Sequence, residues 1–99
     1  VKGVTLEDNG HARFPDAPTQ RGVKHLEELI LAKQEGYDAA VCFVLQMEGM
    51  RCFSPNDVTH PAFGDALRRA AEAGVQILAM ECHVTPETLD ITKEVPIIL

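Results

Sequence analysis

Cationic side chains near the start of the sequence could together bind an anionic group. Lys2 lies in a short run of strand-forming residues, and Arg21, Lys24 and His25 follow closely spaced in one segment. Guanidinium and ammonium groups bind phosphate, and a lysine beside a phosphate also stabilises the charge that develops when a phosphodiester is cleaved. A lone lysine on a strand is commonly a solvated residue. Lys2 is therefore either a phosphate-binding or catalytic residue or an ordinary surface lysine.

The residues just before Arg21 form a second candidate site. Thr19 has the side chain of a helix N-cap, and the free N–H groups of a first helical turn favour an anion. Arg21 would add a bidentate phosphate donor, and Asp16 could take a minor part in binding a metal ion. A local alternative stays open, in which Thr19 caps the helix and Arg21 pairs with Asp16.

His25 lies one turn beyond Arg21 and could contact a phosphate or act as a general acid. The alternative is a histidine that packs on the helix surface. Lys24 and Glu28 are spaced as an i,i+4 ion pair, which also fits a solvated helix face.

A helix opened by Thr19 and running to about Glu35 would position these side chains, with Gly36 suited to the left-handed position after it. Its apolar stripe predicts the side that faces the core. That stripe consists of Val23, Leu26, Leu29 and Ile30. The opposite side carries Arg21, Lys24, His25 and Glu28.

The remaining pattern predicts strands around two helices. Strands are expected over residues 1–6, 39–45, 50–53 and 75–80, and an extended edge segment over 89–99. Residues 11–18 are expected to form an irregular loop that can include one short extended piece. A second helix is expected from Pro61 to Gly74, with Phe63, Leu67, Ala70 and Ala71 on its buried side. Because strands joined by crossover helices pair in parallel, the predicted fold class is α/β, with a mixed, mainly parallel sheet and two flanking helices.

Length and charge restrict the function further. The chain of 99 residues is one domain at most, and its net charge of −6 opposes binding of a polyanion unless a local positive face or a divalent ion compensates. No apolar run reaches the roughly 18 residues of a membrane span, and residues 1–6 do not have the long apolar stretch that is typical of a signal peptide. We therefore expect a cytoplasmic protein without membrane contact.

The three cysteines of the chain are expected to be buried reduced thiols. They are Cys42, Cys52 and Cys82.

Two segments resemble the signature of the sugar fermentation stimulation protein A family. The first is Val1-Lys2-Gly3-Val4-Thr5-Leu6, and the second begins at Phe14-Pro15-Asp16-Ala17 and continues as Thr19-Gln20-Arg21-Gly22-Val23-Lys24-His25-Leu26. Further similarity extends to the ending Val95-Pro96-Ile97-Ile98-Leu99, so that it spans essentially the whole chain.

The resemblance implies a restriction-endonuclease-like fold and a protein that binds DNA without sequence preference, with a metal-dependent nuclease-like domain and a part in regulating sugar (maltose) metabolism. Lys2 would match the lysine of the family's Glu-Val-Lys element, whose glutamate would directly precede Val1. Mg²⁺ or Mn²⁺ would bind carboxylates upstream of Val1 in the intact protein and not this segment. We therefore expect residues 1–99 to be the carboxyl-terminal part of a nuclease-like domain, preceded by its first strands and an OB-like module.

A second interpretation retains the nuclease-like fold but not the cleavage of DNA. The chain would then be a catalytically inactive interaction or regulatory module, and the sequence leaves both open. In the nuclease-like interpretation, Lys2 is the predicted catalytic residue, and the predicted phosphate contacts are Thr19, Arg21, Lys24 and His25. The edge of the first strand is expected to pair with a second copy in a homo-oligomer.

Overall fold

Two helices and two β-sheets make up the part of the chain that the structure describes. The structure is a computed structural model that describes residues 2–4 and 6–99, and for Val84 and Leu89 it describes only the backbone. The elements in chain order are β1 (Lys2–Val4), β2 (Leu6–Asp8), β3 (His11–Phe14), α1 (Gln20–Gln34), β4 (Ala40–Leu45), β5 (Cys52–Pro55), α2 (Pro61–Ala73), β6 (Gln76–Val84) and β7 (Leu89–Glu94). In these described ranges, no helix has the length and apolar character needed to cross a membrane.

The larger sheet has the strand order β1-β4-β6-β7. β4 pairs in parallel with both β1 and β6, so it is the central strand that its apolar run predicts. The chain passes from β1 to β4 through α1 and from β4 to β6 through α2, and it moves in the same direction across the sheet each time. Because such crossovers are right-handed, both helices lie on one face of the sheet. The packing of α1 against α2 agrees with this arrangement. β7 pairs antiparallel with β6 at the edge, as expected for the tail.

The smaller sheet, β2-β3-β5, corrects the prediction of a single sheet. β2 and β3 form an antiparallel hairpin whose turn residues Asn9 and Gly10 have φ of 50° and 84°. The prediction of one strand over residues 1–6 is therefore wrong, because β1 and β2 belong to different sheets; Val1 and Thr5 lie outside the described residues. Within the irregular segment predicted over 11–18, β3 is the short extended piece, and it pairs in parallel with β5.

The ends of α1 agree with the local signals in the sequence. Thr19 is the N-cap, and its hydroxyl accepts a hydrogen bond from the Gly22 N–H at 3.0 Å. After the last turn, Gly36 has a φ of +95°, and the Tyr37 N–H donates to the Ala32 carbonyl at 3.1 Å. These bonds satisfy backbone groups that a helix leaves unpaired at its ends.

The second helix, α2, also has the predicted ends. Pro61 is its first residue, and Gly74 ends it with a φ of +96°. Phe63, Leu67 and Ala70 are buried as expected, whereas Ala71 is exposed. Burial of Ala71 was therefore predicted wrongly.

All four phenylalanines of the chain meet between the sheets and the helices. Phe43 of β4 lies 4.5 Å from Phe53 of β5 and 6.3 Å from Phe63 of α2, measured between ring centroids. Phe14 at the end of β3 lies 5.6 Å from Phe43 and 5.2 Å from Phe63. Aromatic pairs at such separations contribute about 0.5–1.5 kcal/mol each beyond their burial. This cluster therefore joins the two sheets and α2 into one core.

Glu81 is a buried carboxylate that no local sequence pattern indicates. It lies on β6 beyond the predicted end of that strand, with 3% of its surface exposed. Its side chain accepts hydrogen bonds from the N–H groups of Gly49 at 2.8 Å and Met50 at 3.0 Å, and the Lys93 ammonium lies 3.2 Å away. Burial alone would raise the pKa of Glu81, but these partners outweigh it and hold the pKa below its usual range.

The remaining expectations concern the edge of the sheet and the thiols. All three cysteines are free; Cys82 is buried, whereas Cys42 and Cys52 are only partly buried.

β1 pairs with β4 along one side, which leaves its other side as an edge of the larger sheet. Pairing of that edge with a second copy stays a prediction.

Replacement of Glu81 by glutamine should destabilise the fold by about 1–3 kcal/mol at pH 7, because its charge-assisted bonds to Gly49, Met50 and Lys93 are weakened. A carboxyl group whose pKa is lowered by folding contributes stability above its unfolded pKa, and that contribution is lost as the pH falls through the folded value. Urea denaturation at pH 7 and at acid pH measures both effects.

The exposed Glu94 on β7 provides the matched control, since Glu94→Gln makes the same chemical change without buried bonds. Equal stability of Glu81→Gln and Glu94→Gln at pH 7 would contradict the role given to Glu81.

Candidate functional site

A concave pocket of about 550 Å³ lies between β1 and α1. It brings together four of the residues predicted from the sequence, and Glu28 from the same helix face joins them. The lining side chains are Lys2, Arg21, Lys24, His25 and Glu28. Residues from two separate elements thus share one cavity.

The position of Lys2 follows from the pairing of β1. Lys2 and Val4 lie on the same face of the strand, because side chains two residues apart point the same way. Val4 is 1% exposed and belongs to the core, so Lys2 is directed to the side on which the core lies. Its ammonium reaches the rim of that core, 6.0 Å from the centre of the Phe14 ring. A cation at this distance from an aromatic face is attracted by the ring quadrupole.

The helix contributes the remaining side chains because its other side is buried. Leu26 is fully buried, and Val23 and Leu29 pack against the core, as the apolar stripe predicts. Lys24 and His25 then fall on the side that faces the pocket. At the first turn, the helix approaches α2 closely: a Cβ on Gly22 would lie 3.1 Å from the Phe63 ring and 2.9 Å from the Thr19 methyl group.

Electrostatics make the pocket suited to an anion. In the part of the chain that the structure describes, three cationic side chains and one carboxylate, that of Glu28, line the pocket, although the chain as a whole carries a net charge of −6. Partial burial of Lys2 lowers the pKa of its ammonium, and the nearby Arg21 guanidinium lowers that pKa further. An anion between these cations would relieve both effects, because it replaces lost solvation and screens their mutual repulsion.

Two predicted residues do not line the pocket. Thr19 has a structural role at the start of α1, where its N–H also donates to Nδ1 of His60 at 3.1 Å. Asp16 is exposed, and among the described residues no ion pair joins Asp16 to Arg21. The local pairing considered for Arg21 is therefore absent, and Arg21 faces Lys2 instead.

Sequence reasoning missed the roles of Phe14 and His60. Phe14 supports the Lys2 ammonium and packs in the core, and an apolar residue directly before Pro15 was the available signal. His60 is the N-cap residue of α2 and holds the start of α1, a contact between residues so far apart in sequence that no local spacing could indicate it.

The described residues alone do not fit a divalent cation. No group of three or more His, Cys, Asp or Glu side chains within residues 2–4 and 6–99 could hold a metal ion. The pocket offers only Glu28 and His25 as ligands, beside three cations that would repel a metal ion. Mg²⁺ coordination relies on carboxylates and substrate phosphates, so further acidic ligands would have to come from elsewhere.

Replacement of Arg21 by methionine should raise the pKa of Lys2, because the repelling charge of the guanidinium is lost while burial still holds that pKa below its ordinary value. The ¹³Cε chemical shift of Lys2 across a pH titration reports this change. Arg69→Met, an exposed arginine on α2, removes the same charge away from the pocket and should leave the Lys2 pKa unchanged. An unaltered Lys2 pKa in Arg21→Met would show that the two cations do not interact.

Comparison with known sequences gives a consistent set of relatives. A family model described as "Sugar fermentation stimulation protein RE domain" matches residues 1–88. A sugar fermentation stimulation protein homolog of Clostridium acetobutylicum is 54% identical over 99 residues, which are all of this chain and 43% of that protein. The homolog of Clostridium beijerinckii is 56% identical over the same length, which is 44% of that protein.

Comparison with solved structures gives the same result. SfsA of Pyrococcus furiosus, whose structure was solved in complex with Ca²⁺, superimposes with a TM-score of 0.90 at 28% sequence identity. The match covers 99% of this chain and 43% of the Pyrococcus chain. The chain thus spans less than half the length of the relatives it matches.

Proposed function

Since the chain belongs to the sugar fermentation stimulation protein family, we propose that its pocket binds a phosphate group of a DNA backbone, without preference for sequence. The whole protein would act on or regulate DNA in the cytoplasm, in connection with the sugar metabolism that gives the family its name. The convergence of Lys2, Arg21 and Lys24 in one cavity is the observation that carries this proposal.

The arrangement suits a phosphodiester for two reasons. Arg21 and Lys24 are on consecutive turns of an exposed helix face, so a phosphate can approach them from solvent. Lys2 lies deeper, partly shielded from water, where its charge interacts more strongly with a bound oxygen than it would in the open. Phosphate contacts of this kind carry no sequence information, which agrees with binding that ignores base identity.

The proposal also includes a nuclease-like activity of the whole protein. We propose that the fold is restriction-endonuclease-like and that Lys2 stabilises the negative charge that develops on a phosphodiester during cleavage. The intact protein would use Mg²⁺ or Mn²⁺, whose carboxylate ligands would lie outside this chain, because the described residues do not form such a site. The alternative is a DNA-associated module that breaks no bond.

Lys24→Ala should weaken binding of a fluorescent single-stranded oligonucleotide by this chain at low salt, since one phosphate contact is removed. Fluorescence anisotropy at several salt concentrations should show the slope of log K against log salt reduced by about 0.7. Because the net charge of −6 opposes binding, we expect the wild-type affinity to be weak, with a dissociation constant of about 10⁻⁴ M or above.

Lys33→Ala is the matched control, because Lys33 is on the same helix but lies at its last turn, 4.0 Å from Asp38. It removes the same charge and should leave the salt slope unchanged. Equal losses in Lys24→Ala and Lys33→Ala would indicate a general charge effect and contradict a phosphate site in the pocket.

Hydrolysis is tested with a full-length family protein that includes this chain. Plasmid nicking in the presence of Mn²⁺ or Mg²⁺ should occur with the wild type and with Lys33→Ala and be lost in Lys2→Ala. Calorimetric titration of the 99-residue chain alone with either ion should show no appreciable binding. Nicking that persists in Lys2→Ala would contradict a catalytic role of Lys2. If neither the wild type nor any variant nicks the plasmid but the proteins bind DNA, the protein is the catalytically inactive module.

A further inference from the structure

A second cavity, of about 620 Å³, lies on the smaller sheet. Ala12 of β3 and Phe53 of β5 are buried on the side of that sheet that faces the core. The alternate residues His11, Arg13 and Ser54 point to the other side and line the cavity. The pocket between β1 and α1 shares none of these residues.

A hydrogen-bonded chain of three side chains sets the chemistry of this cavity. Nη2 of Arg13 lies 3.3 Å from Nδ1 of His11, and Nε2 of His11 lies 2.5 Å from Oγ of Ser54. A guanidinium can only donate, so Nδ1 of His11 must accept, and a neutral imidazole then carries its proton on Nε2. That N–H donates to the Ser54 oxygen, which leaves the Ser54 hydroxyl hydrogen free to donate to a ligand.

The same tautomer excludes a nucleophilic serine. A serine is activated when an unprotonated imidazole nitrogen accepts its hydrogen, and here Nε2 already holds a proton. Burial of His11, followed by the charge of Arg13, lowers the pKa of the imidazole, which keeps it neutral; Asp8 acts in the opposite direction and Arg51 in the same one. These three side chains therefore present hydrogen-bond donors and one positive charge to the cavity, and His11 does not act as a base toward Ser54.

The walls and the rim of the cavity narrow the choice of ligand. Leu6, Pro55 and Val58 supply apolar surface, and Val58 is 96% exposed. Two carboxylates, Asp8 and Asp57, also line it. Asp57 is engaged by Arg68 at 2.6 Å, whereas Asp8 lies 3.7 Å from Arg13 in a loose, exposed pair. Two acids at the rim would repel a dianion such as phosphate more strongly than a monoanion.

We propose that this cavity binds a small aliphatic monocarboxylate. Its carboxylate would accept hydrogen bonds from the Ser54 hydroxyl and from the Arg13 guanidinium, displacing the loose contact with Asp8. Its hydrocarbon chain would lie against Leu6, Pro55 and Val58. A guanidinium and a hydroxyl donor opposite an apolar wall match a ligand that has one charged end and one apolar end.

Butyrate is the probe, added to the ¹⁵N-labelled chain at constant ionic strength and followed by backbone amide chemical shifts. Amides of β3 and β5 should shift and saturate with a dissociation constant in the millimolar range. Arg13→Met should weaken binding by about tenfold, since a charge-assisted bond is lost while the side-chain stem is retained. Ser54→Ala should weaken it less. Butyramide, which has the same shape without the charge, and inorganic phosphate should both bind more weakly than butyrate.

Arg69→Met provides the control for loss of one positive charge on the exposed surface and should bind butyrate as the wild type does. Amide spectra of each variant without ligand verify that the fold is kept. Shifts that do not saturate, equal binding of butyramide, or equal weakening in Arg13→Met and Arg69→Met would overturn the proposal. Tighter binding of phosphate than of butyrate would overturn the choice of a monocarboxylate.

Discussion

Burial of Val4 beside the central strand is the constraint on which the candidate site depends. β1 is only three residues long, and its parallel pairing with β4 fixes which of its side chains enter the core. With Val4 in the core, Lys2 must point to the same face, where α1 covers the sheet. A shift of the pairing by one residue would expose Val4 and turn Lys2 away from the helix. The hydrophobic core and the position of the catalytic candidate are thus set by one register.

The pocket concentrates positive charge in a chain whose net charge is −6. Lys2, Arg21 and Lys24 repel one another, and among the described residues Glu28 is the one carboxylate that opposes them within the cavity. Partial burial lowers the pKa of the Lys2 ammonium, and repulsion by Arg21 lowers it further. A site of this kind gains more from an anionic ligand than an exposed lysine does, because the ligand offsets repulsion that the fold already contains. An acidic protein can therefore hold a local site for phosphate.

Local signals in the sequence were sufficient for the helices and the central strand. Thr19 and Gly36 fix the ends of α1 through bonds to residues within one or two turns, and the apolar run over 39–45 indicates β4 without reference to any partner. The second sheet could not be predicted in the same way. β3 reads His-Ala-Arg-Phe, and whether its polar side chains are compatible with a strand depends on pairing with the distant β5. Asn9-Gly10 was nevertheless a usable hairpin signal.

The candidate site, like the fold, could be predicted only in the part that local spacing determines. The helical period places Lys24 and His25 on one side of α1, so that face could be predicted from spacing alone. The meeting of that face with Lys2 could not, because it requires the parallel pairing of β1 with β4. Glu81 is a further case, since its ionised state depends on Gly49, Met50 and Lys93 from other parts of the fold.

The shared pocket is tested most directly by a titration with thymidylyl-thymidine, the smallest DNA phosphodiester, observed through the side-chain signals of the lysines and arginines. The ¹³Cε signals of Lys2 and Lys24 and the Nε signal of Arg21 should shift together and give one common dissociation constant, while Lys33 and Arg69 stay unchanged. Movement of Lys24 and Arg21 without Lys2, or equal movement of Lys33, would contradict a single phosphate site formed by β1 and α1.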